Sequence, residues 1–216
     1  ICEINDLGVV VANINTAATS GAGLPDIVAD DYGKLIYPEY AAIDLCKEMA
    51  RYAGRFKILV SHHPFEWLNE ESRRSIENLL VETFDIHFGG HIHLTSPQAL
   101  KSLGGSTVRV QTGALYQGRK KWNGYSLVRL EPNEGFQEII LKKYSPETRK
   151  FVTADLGEGG IFYPNEESRA FWKSRPSIDR EKLAGWVVER LKPFFLGKHG
   201  ETLVGKDISD VFYEHP

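Results

Sequence analysis

Two short apolar runs on either side of a helix-length segment constrain the fold of this chain more than any other feature. The run at 56–60 is followed by a segment at 70–83 with apolar residues at helical spacing, and then by a second run at 86–88. A strand, a helix and a strand in this order form a β-α-β unit, in which the strands are parallel and the crossover is right-handed. The sequence therefore predicts an α/β fold built on a parallel sheet.

Further elements are predicted on both sides of this unit. A β-rich run at 7–17 precedes a Gly-, Ala-, Asp- and Pro-rich loop at 18–33. A helix is expected over 37–54, with a proline in its first turn and a glycine at its end. Three strands separated by turn residues follow the β-α-β unit, and they lie within 106–116, 124–132 and 136–146.

The composition is typical of a globular protein with an apolar core. Hydrophobic residues make up 42% of the 216, charged residues 25%, and the net charge is −3. General electrostatic attraction of nucleic acid is not expected at this charge, and the basic run at 119–121 is interpreted as a solvated loop. No apolar run has the length of a membrane span, and Cys2 and Cys46 form no disulfide framework. We expect a cytoplasmic protein without membrane contact.

Histidines follow the carboxyl ends of both strands of the β-α-β unit. His62 and His63 come directly after the first strand, and His91 and His93 follow the second in the sequence GGHIH. Because parallel strands place their carboxyl ends at one edge of a sheet, imidazoles from the two loops should meet there. Imidazole is the commonest neutral ligand for zinc, iron and manganese-type centres. The pattern predicts a metal site with His62, His91 and His93 as ligands.

Neighbouring residues are expected to shape this site. Gly89 and Gly90 permit a sharp turn that aims both flanking histidines inward, and Ile92 between those histidines is expected to point into the core. His63 is a candidate substrate-binding residue, with packing beside Phe65 as the open alternative. The other histidines are interpreted as structural or surface residues: His87 inside its strand, and His199 and His215 in the polar tail.

These motifs resemble those of the calcineurin-like metallophosphoesterases. LVSHHP at 59–64 is similar to the family's fourth metal motif, GGHIH at 89–93 matches its terminal G-H-x-H motif, and residues 108–131 resemble the strands that follow. The resemblance covers about residues 7–142. It implies a layered β-sandwich flanked by helices, and two divalent ions that clamp a phosphate and activate a bridging water or hydroxide. It also implies that His62 and His91 bind one ion and His93 the other.

We find no counterpart anywhere in this chain of the family's earlier motifs, D-x-H, G-D-x-x-D and G-N-H-D/E, and the Asp-rich stretch at 26–31 matches none of them. In the family these motifs supply the remaining metal ligands and a histidine that protonates the leaving group. They precede, in family order, the point at which this chain begins. We therefore expect residues 1–150 to be the C-terminal part of a metallophosphoesterase domain, with its N-terminal half missing.

The pattern of apolar and polar residues becomes less regular after about residue 150. Loops and aromatic residues without a clear period lead to a helix candidate over 177–197 and then to a polar tail. Residues 151–216 are interpreted as a C-terminal extension, or as a linker to a further domain such as an NTPase or a signalling domain.

Two functions are compatible with these patterns. The resemblance implies a hydrolase that cleaves a phosphomonoester or phosphodiester with two divalent ions (Mn²⁺, Fe or Zn²⁺), partly bound by residues outside this chain. Nucleotides and nucleic acid are candidate substrates. Trp122 has two interpretations. It could stack on a base of the substrate, or it packs in the core, and the second interpretation is favoured. The alternative function is a catalytically inactive binding or regulatory module of a larger multidomain protein.

Overall fold

The protein, described here by a computed structural model over residues 1–21, 31–92, 95–111, 113–114 and 122–175, has a mixed α/β fold. The larger sheet contains β1 (Cys2–Ile4), β2 (Val9–Ile14), β3 (Phe56–Ser61), β4 (Ile86–Gly89), β5 (Ser96–Lys101) and β6 (Ser106–Gln111). The smaller sheet contains β7 (Gly124–Glu131), β8 (Phe136–Ser145), β9 (Lys150–Thr153) and β10 (Ile161–Phe162). The helices are α1 (Glu39–Ala50), α2 (Glu70–Thr83) and α3 (Glu166–Lys173), with 3₁₀ turns at Asn5–Leu7 and Phe65–Trp67.

The larger sheet has four parallel strands at its centre, in the order β1-β2-β3-β4-β6-β5. β1 and β5 are antiparallel to their neighbours and form the two edges. The predicted β-α-β unit is confirmed, because β3 and β4 are parallel neighbours connected through α2. Paired residues at the carboxyl ends of the four parallel strands form one continuous row: Ile14, Ser61, Gly89 and Gln111. All four loops that follow these strands therefore leave from the same edge.

The two faces of the larger sheet are buried against different layers. Alternate strand residues pack against α1 and α2 on one face, with Ala12, Leu59 and Ile76 among the buried residues of that core. The other face packs against the smaller sheet, and this second core includes Ile86 and Ile139. Period-2 alternation explains how one strand can serve both cores. The described residues thus form three layers, which are α1 with α2, the larger sheet and the smaller sheet, and α3 packs against β8 of the smaller sheet.

Local signals account for most of the predicted boundaries. α2 occupies the predicted range because Asn69 accepts a hydrogen bond from the Ser72 N–H (2.8 Å) at its start. α1 begins directly after Pro38, and the chain passes through a left-handed glycine, Gly54 (φ 75°), before β3. Trp122 packs against the core between the sheets, as favoured.

Other elements were not predicted from the sequence. β1, β5, β9, β10 and α3 are additional, and β9 and β10 both pair with β8. The predicted helix at 177–197, the basic run at 119–121 and residues 22–30 of the predicted loop lie outside the described residues. Within the described ranges, no helix combines the length and apolarity needed to cross a membrane.

Candidate metal centre

Three histidines meet at the carboxyl edge of the larger sheet. His62 and His63 follow the end of β3, and His91 follows the end of β4. One ring nitrogen from each lies within 4.8 Å of the others, which makes these residues the one cluster of three or more potential metal ligands found in the described part of the chain. We call His62, His63 and His91 the histidine cluster. The structure brings His62 and His91 together as the sequence predicts, and it adds His63, which was not among the predicted ligands.

Within the histidine cluster, His91 Nδ1 lies 3.0 Å from His62 Nε2. At this distance the two nitrogens either share one proton in a hydrogen bond or face a common cation. Two imidazoles on one tetrahedral Zn²⁺, at Zn–N distances of about 2.0–2.1 Å, have nitrogens roughly 3.3 Å apart. The observed separation is close to that value, so the pair fits a shared divalent ion.

Thr16, which lies in the loop after β2, makes two polar contacts with His63. The His63 backbone N–H donates to Thr16 Oγ1 (2.9 Å), and His63 Nδ1 lies 3.2 Å from the same oxygen. When Nδ1–H donates to this hydroxyl, the Nε2 lone pair is free for a cation, which is the usual arrangement of a ligating histidine. Burial, followed by the charges of His91 and His62, lowers the pKa of His63 to about 4. His63 is therefore neutral at pH 7, as a metal ligand must be.

The structure places His63 among the potential ligands and leaves it only 2% exposed. Its imidazole lies 5.6 Å from the ring of Trp67, measured between ring centroids. The role that the sequence predicts for His63 in binding substrate stays a prediction. His93, the third predicted ligand, lies outside the described residues and also stays a prediction.

The turn that presents His91 differs from the expected one. His91 itself adopts the left-handed conformation (φ 67°), and neither Gly89 nor Gly90 has a positive φ. Gly90 instead lies against the neighbouring loop: its N–H donates to the His62 carbonyl (3.1 Å), and its own carbonyl accepts from the Gln111 side-chain amide. A left-handed non-glycine residue costs about 1–3 kcal/mol and is typical of functional sites. The backbone strain of this turn therefore lies at His91, which is a potential ligand.

The prediction that Ile92 points into the core is wrong. Its side chain is 38% exposed and lines a groove beside the histidine cluster. The left-handed turn at His91 redirects the chain, so the strand alternation on which the prediction relied ends at Gly89.

His87 is buried in β4 beneath the cluster, as predicted. Ser61 Oγ donates its proton to the His63 carbonyl (2.8 Å), so the 2.7 Å contact between Ser61 and His87 Nε2 is a hydrogen bond donated by His87. Residues 85–87 spell D-x-H, yet they lie at the amino end of β4, where the Asp85 carboxylate accepts the Lys57 backbone N–H (2.7 Å). They are therefore not a counterpart of the family motif.

Sequence reasoning missed three residues near the cluster. Thr16 follows β2 at the same sheet edge, and the parallel-strand argument would have found it. The Trp67 ring centroid lies 4.1 Å from that of His91. Asp31 interacts electrostatically with His63 and His91, and hydrogen bonds from Ser20 and from the Gly21 N–H lower the pKa of its carboxyl. No sequence signal identifies Trp67 or Asp31, because neither directly follows the end of a parallel strand.

His87 should make the metal-free protein sensitive to acid. Burial, and then the charge of Arg109 on β6, lower the pKa of His87 from 6.5 to about 3. The unfolded chain therefore binds about one more proton at this site between these two pH values. We expect the free energy of unfolding to fall as the pH is lowered from 6.5 towards 3, and His87→Gln to make this slope shallower by about one proton. Urea unfolding across that range in EDTA measures it, and parallel slopes for both proteins would contradict it.

The sequence matches no protein-family model, and no curated protein is significantly similar to it. The chemistry of the site therefore has to be argued from its own residues.

Proposed function

We propose that this chain carries the metal-binding edge of a metal-dependent phosphoesterase of the calcineurin-like type. The observation that carries the proposal is the meeting of three imidazoles where adjacent parallel strands end. The layering of helices against a sheet that packs on a second sheet is compatible with the sandwich that the resemblance implies. The G-H-x-H motif supports the same proposal, with its first histidine in the cluster and His93 as a further candidate ligand.

In this proposal His62, His63 and His91 hold a divalent ion through one ring nitrogen each. A bound divalent ion would polarise a phosphoryl oxygen and lower the pKa of a coordinated water. Thr16 fixes the orientation and tautomer of His63 through its hydroxyl. Trp67 covers one side of His91 and limits the access of water from that direction. Nucleotides and other phosphate esters remain the proposed substrates.

The second candidate function is a metal-binding regulatory module without turnover. The observation that favours it is the composition of the cluster, which within the described residues contains imidazoles and no carboxylate. Two-metal phosphoesterase chemistry uses a pair of ions about 3.5–4 Å apart, and three imidazoles supply ligands for one. A second ion would need His93 or ligands from outside this chain.

Hydrolysis assays separate the two candidates. We expect the protein to hydrolyse p-nitrophenyl phosphate or its bis ester in the presence of Mn²⁺, Zn²⁺ or Fe²⁺, and not in EDTA. His62→Ala should abolish this activity, because it removes a ligand at an exposed position where the folding cost is small. His199→Ala is the matched control and should retain full activity. Metal binding without hydrolysis would favour the regulatory module, and hydrolysis unchanged in His62→Ala would contradict the proposal.

A further inference from the structure

A groove opens beside the histidine cluster and runs across the outer part of the larger sheet. Its volume is about 250 Å³. Trp67 forms the wall next to the cluster, with its ring 4.1 Å from that of His91 between centroids. A ligand in the groove would therefore adjoin any group bound at the histidines.

The floor of the groove is polar and offers hydrogen bonds. Ser96 pairs with Gln111, and Gln98 pairs with Arg109, across β5 and β6. Residues directly opposite one another on paired strands point to the same face, so all four side chains line the groove together. The Gln111 amide is buried and already donates to the Gly90 carbonyl, so the carboxamide that faces a ligand is that of the exposed Gln98, which both donates and accepts.

The positive charge on this floor is already balanced. Arg109 is 4% exposed and pairs with Glu66 and with Glu77, whose Oε1 lies 3.2 Å from Arg109 Nη2. A guanidinium between two carboxylates leaves no excess charge to attract a phosphate. The groove is therefore suited to the uncharged part of a ligand, and the histidine cluster to its anionic part.

Two aromatic side chains, Tyr32 and Trp67, form part of the walls of the groove. Tyr32 is 59% exposed, and its ring stands nearly perpendicular to that of Trp67, with 5.5 Å between centroids. Aromatic side chains bind planar heteroaromatic rings by stacking. A polar amide floor beneath aromatic walls favours a planar, hydrogen-bonding ring over an alkyl chain.

We propose that this groove binds the nucleobase of a nucleoside phosphate whose phosphate lies at the histidine cluster. The phosphate half of this inference rests on the proposed function, whereas the nucleobase half rests on the groove alone. The groove volume of about 250 Å³ lies just below the range for ligand pockets, roughly 300–1,000 Å³, which suits a ligand no larger than one nucleoside unit.

Calorimetric titration of the metal-free protein in EDTA with adenosine, guanosine, cytidine and uridine tests the groove. At least one nucleoside should bind, and ribose should not. Trp67→Ala should weaken binding about 5- to 140-fold, the range that corresponds to the loss of stacking on one base. Gln98→Ala, at an exposed floor position, should weaken it without affecting folding. Tyr40→Ala is the control, since Tyr40 is exposed on α1 and is not among the groove residues.

The outcomes distinguish this inference from the proposed function. Nucleoside binding that is lost in Trp67→Ala and Gln98→Ala supports the groove even if the protein hydrolyses no phosphate ester. Failure of all four nucleosides to bind, or binding unchanged in both variants, overturns the groove assignment and leaves the hydrolysis test unaffected.

Discussion

His91→Asn is expected to weaken the binding of Zn²⁺ or Mn²⁺ by about 100-fold or more while the chain stays folded. The substitution removes one of the three imidazoles of the histidine cluster. Loss of a residue that only supports a ligand typically costs 10–100-fold in affinity, so loss of a ligand should cost at least as much. Asparagine is the suitable replacement, because it tolerates the left-handed conformation that His91 adopts (φ 67°) better than most side chains.

Competition with a chromophoric chelator measures the affinity, and circular dichroism in EDTA measures the fold. His199→Asn makes the same chemical change in the C-terminal region and should bind metal as the parent protein does. An unchanged affinity in a folded His91→Asn protein would show that His91 is not a ligand. The contact between His91 and His62 would then be a hydrogen bond between imidazoles and not a shared metal site.

Phe65→Ala is expected to lower the free energy of unfolding by about 3–5 kcal/mol, the usual cost of truncating a buried aromatic side chain. Phe65 is 1% exposed within the core under α1 and α2. Its ring stacks on His87 with 4.4 Å between centroids, and the Arg109 guanidinium lies 5.4 Å above it. The truncation thus removes apolar burial and a cation–π contact near the histidine cluster.

Urea unfolding in EDTA measures this effect without a contribution from bound metal. Phe65→Leu is the matched control and should cost less than half as much, because it keeps most of the buried apolar volume. If Phe65→Ala unfolds at the same urea concentration as the parent protein, the turn at Phe65–Trp67 is not part of the cooperative core.

A helix or strand could be predicted from the sequence where a local capping or turn signal and the apolar periodicity indicated the same element. The pentapeptide NEESR begins both α2 and α3, and in each the asparagine side chain accepts a hydrogen bond from the serine N–H three residues on. α2 was predicted because a clear apolar stripe follows its cap. α3 was missed although its cap is identical, because it has only eight residues, too few to show a period. The capping signal alone would have located its start.

The site was predictable where strand ends determine it. Parallel pairing of β3 and β4 brings His62 and His91 together, and no other information was needed. The left-handed turn at His91 was not predictable, since the two preceding glycines suggested a different origin for the bend. Trp67 and Asp31 approach from loops whose paths depend on tertiary packing, which a pattern of residue types does not encode.

Because the four parallel strands end on a common row, the alignment of the loops that carry the site depends on the number of residues in each strand. Deleting one residue within β3 would draw His62 back by about 3.3 Å or shift the strand by one position, and such a shift exchanges its two faces. Substitutions in the loops leave that alignment untouched. Related sequences should therefore differ at this edge by substitutions and by changes in loop length beyond the histidines. They should not differ by insertions or deletions inside β2, β3, β4 and β6.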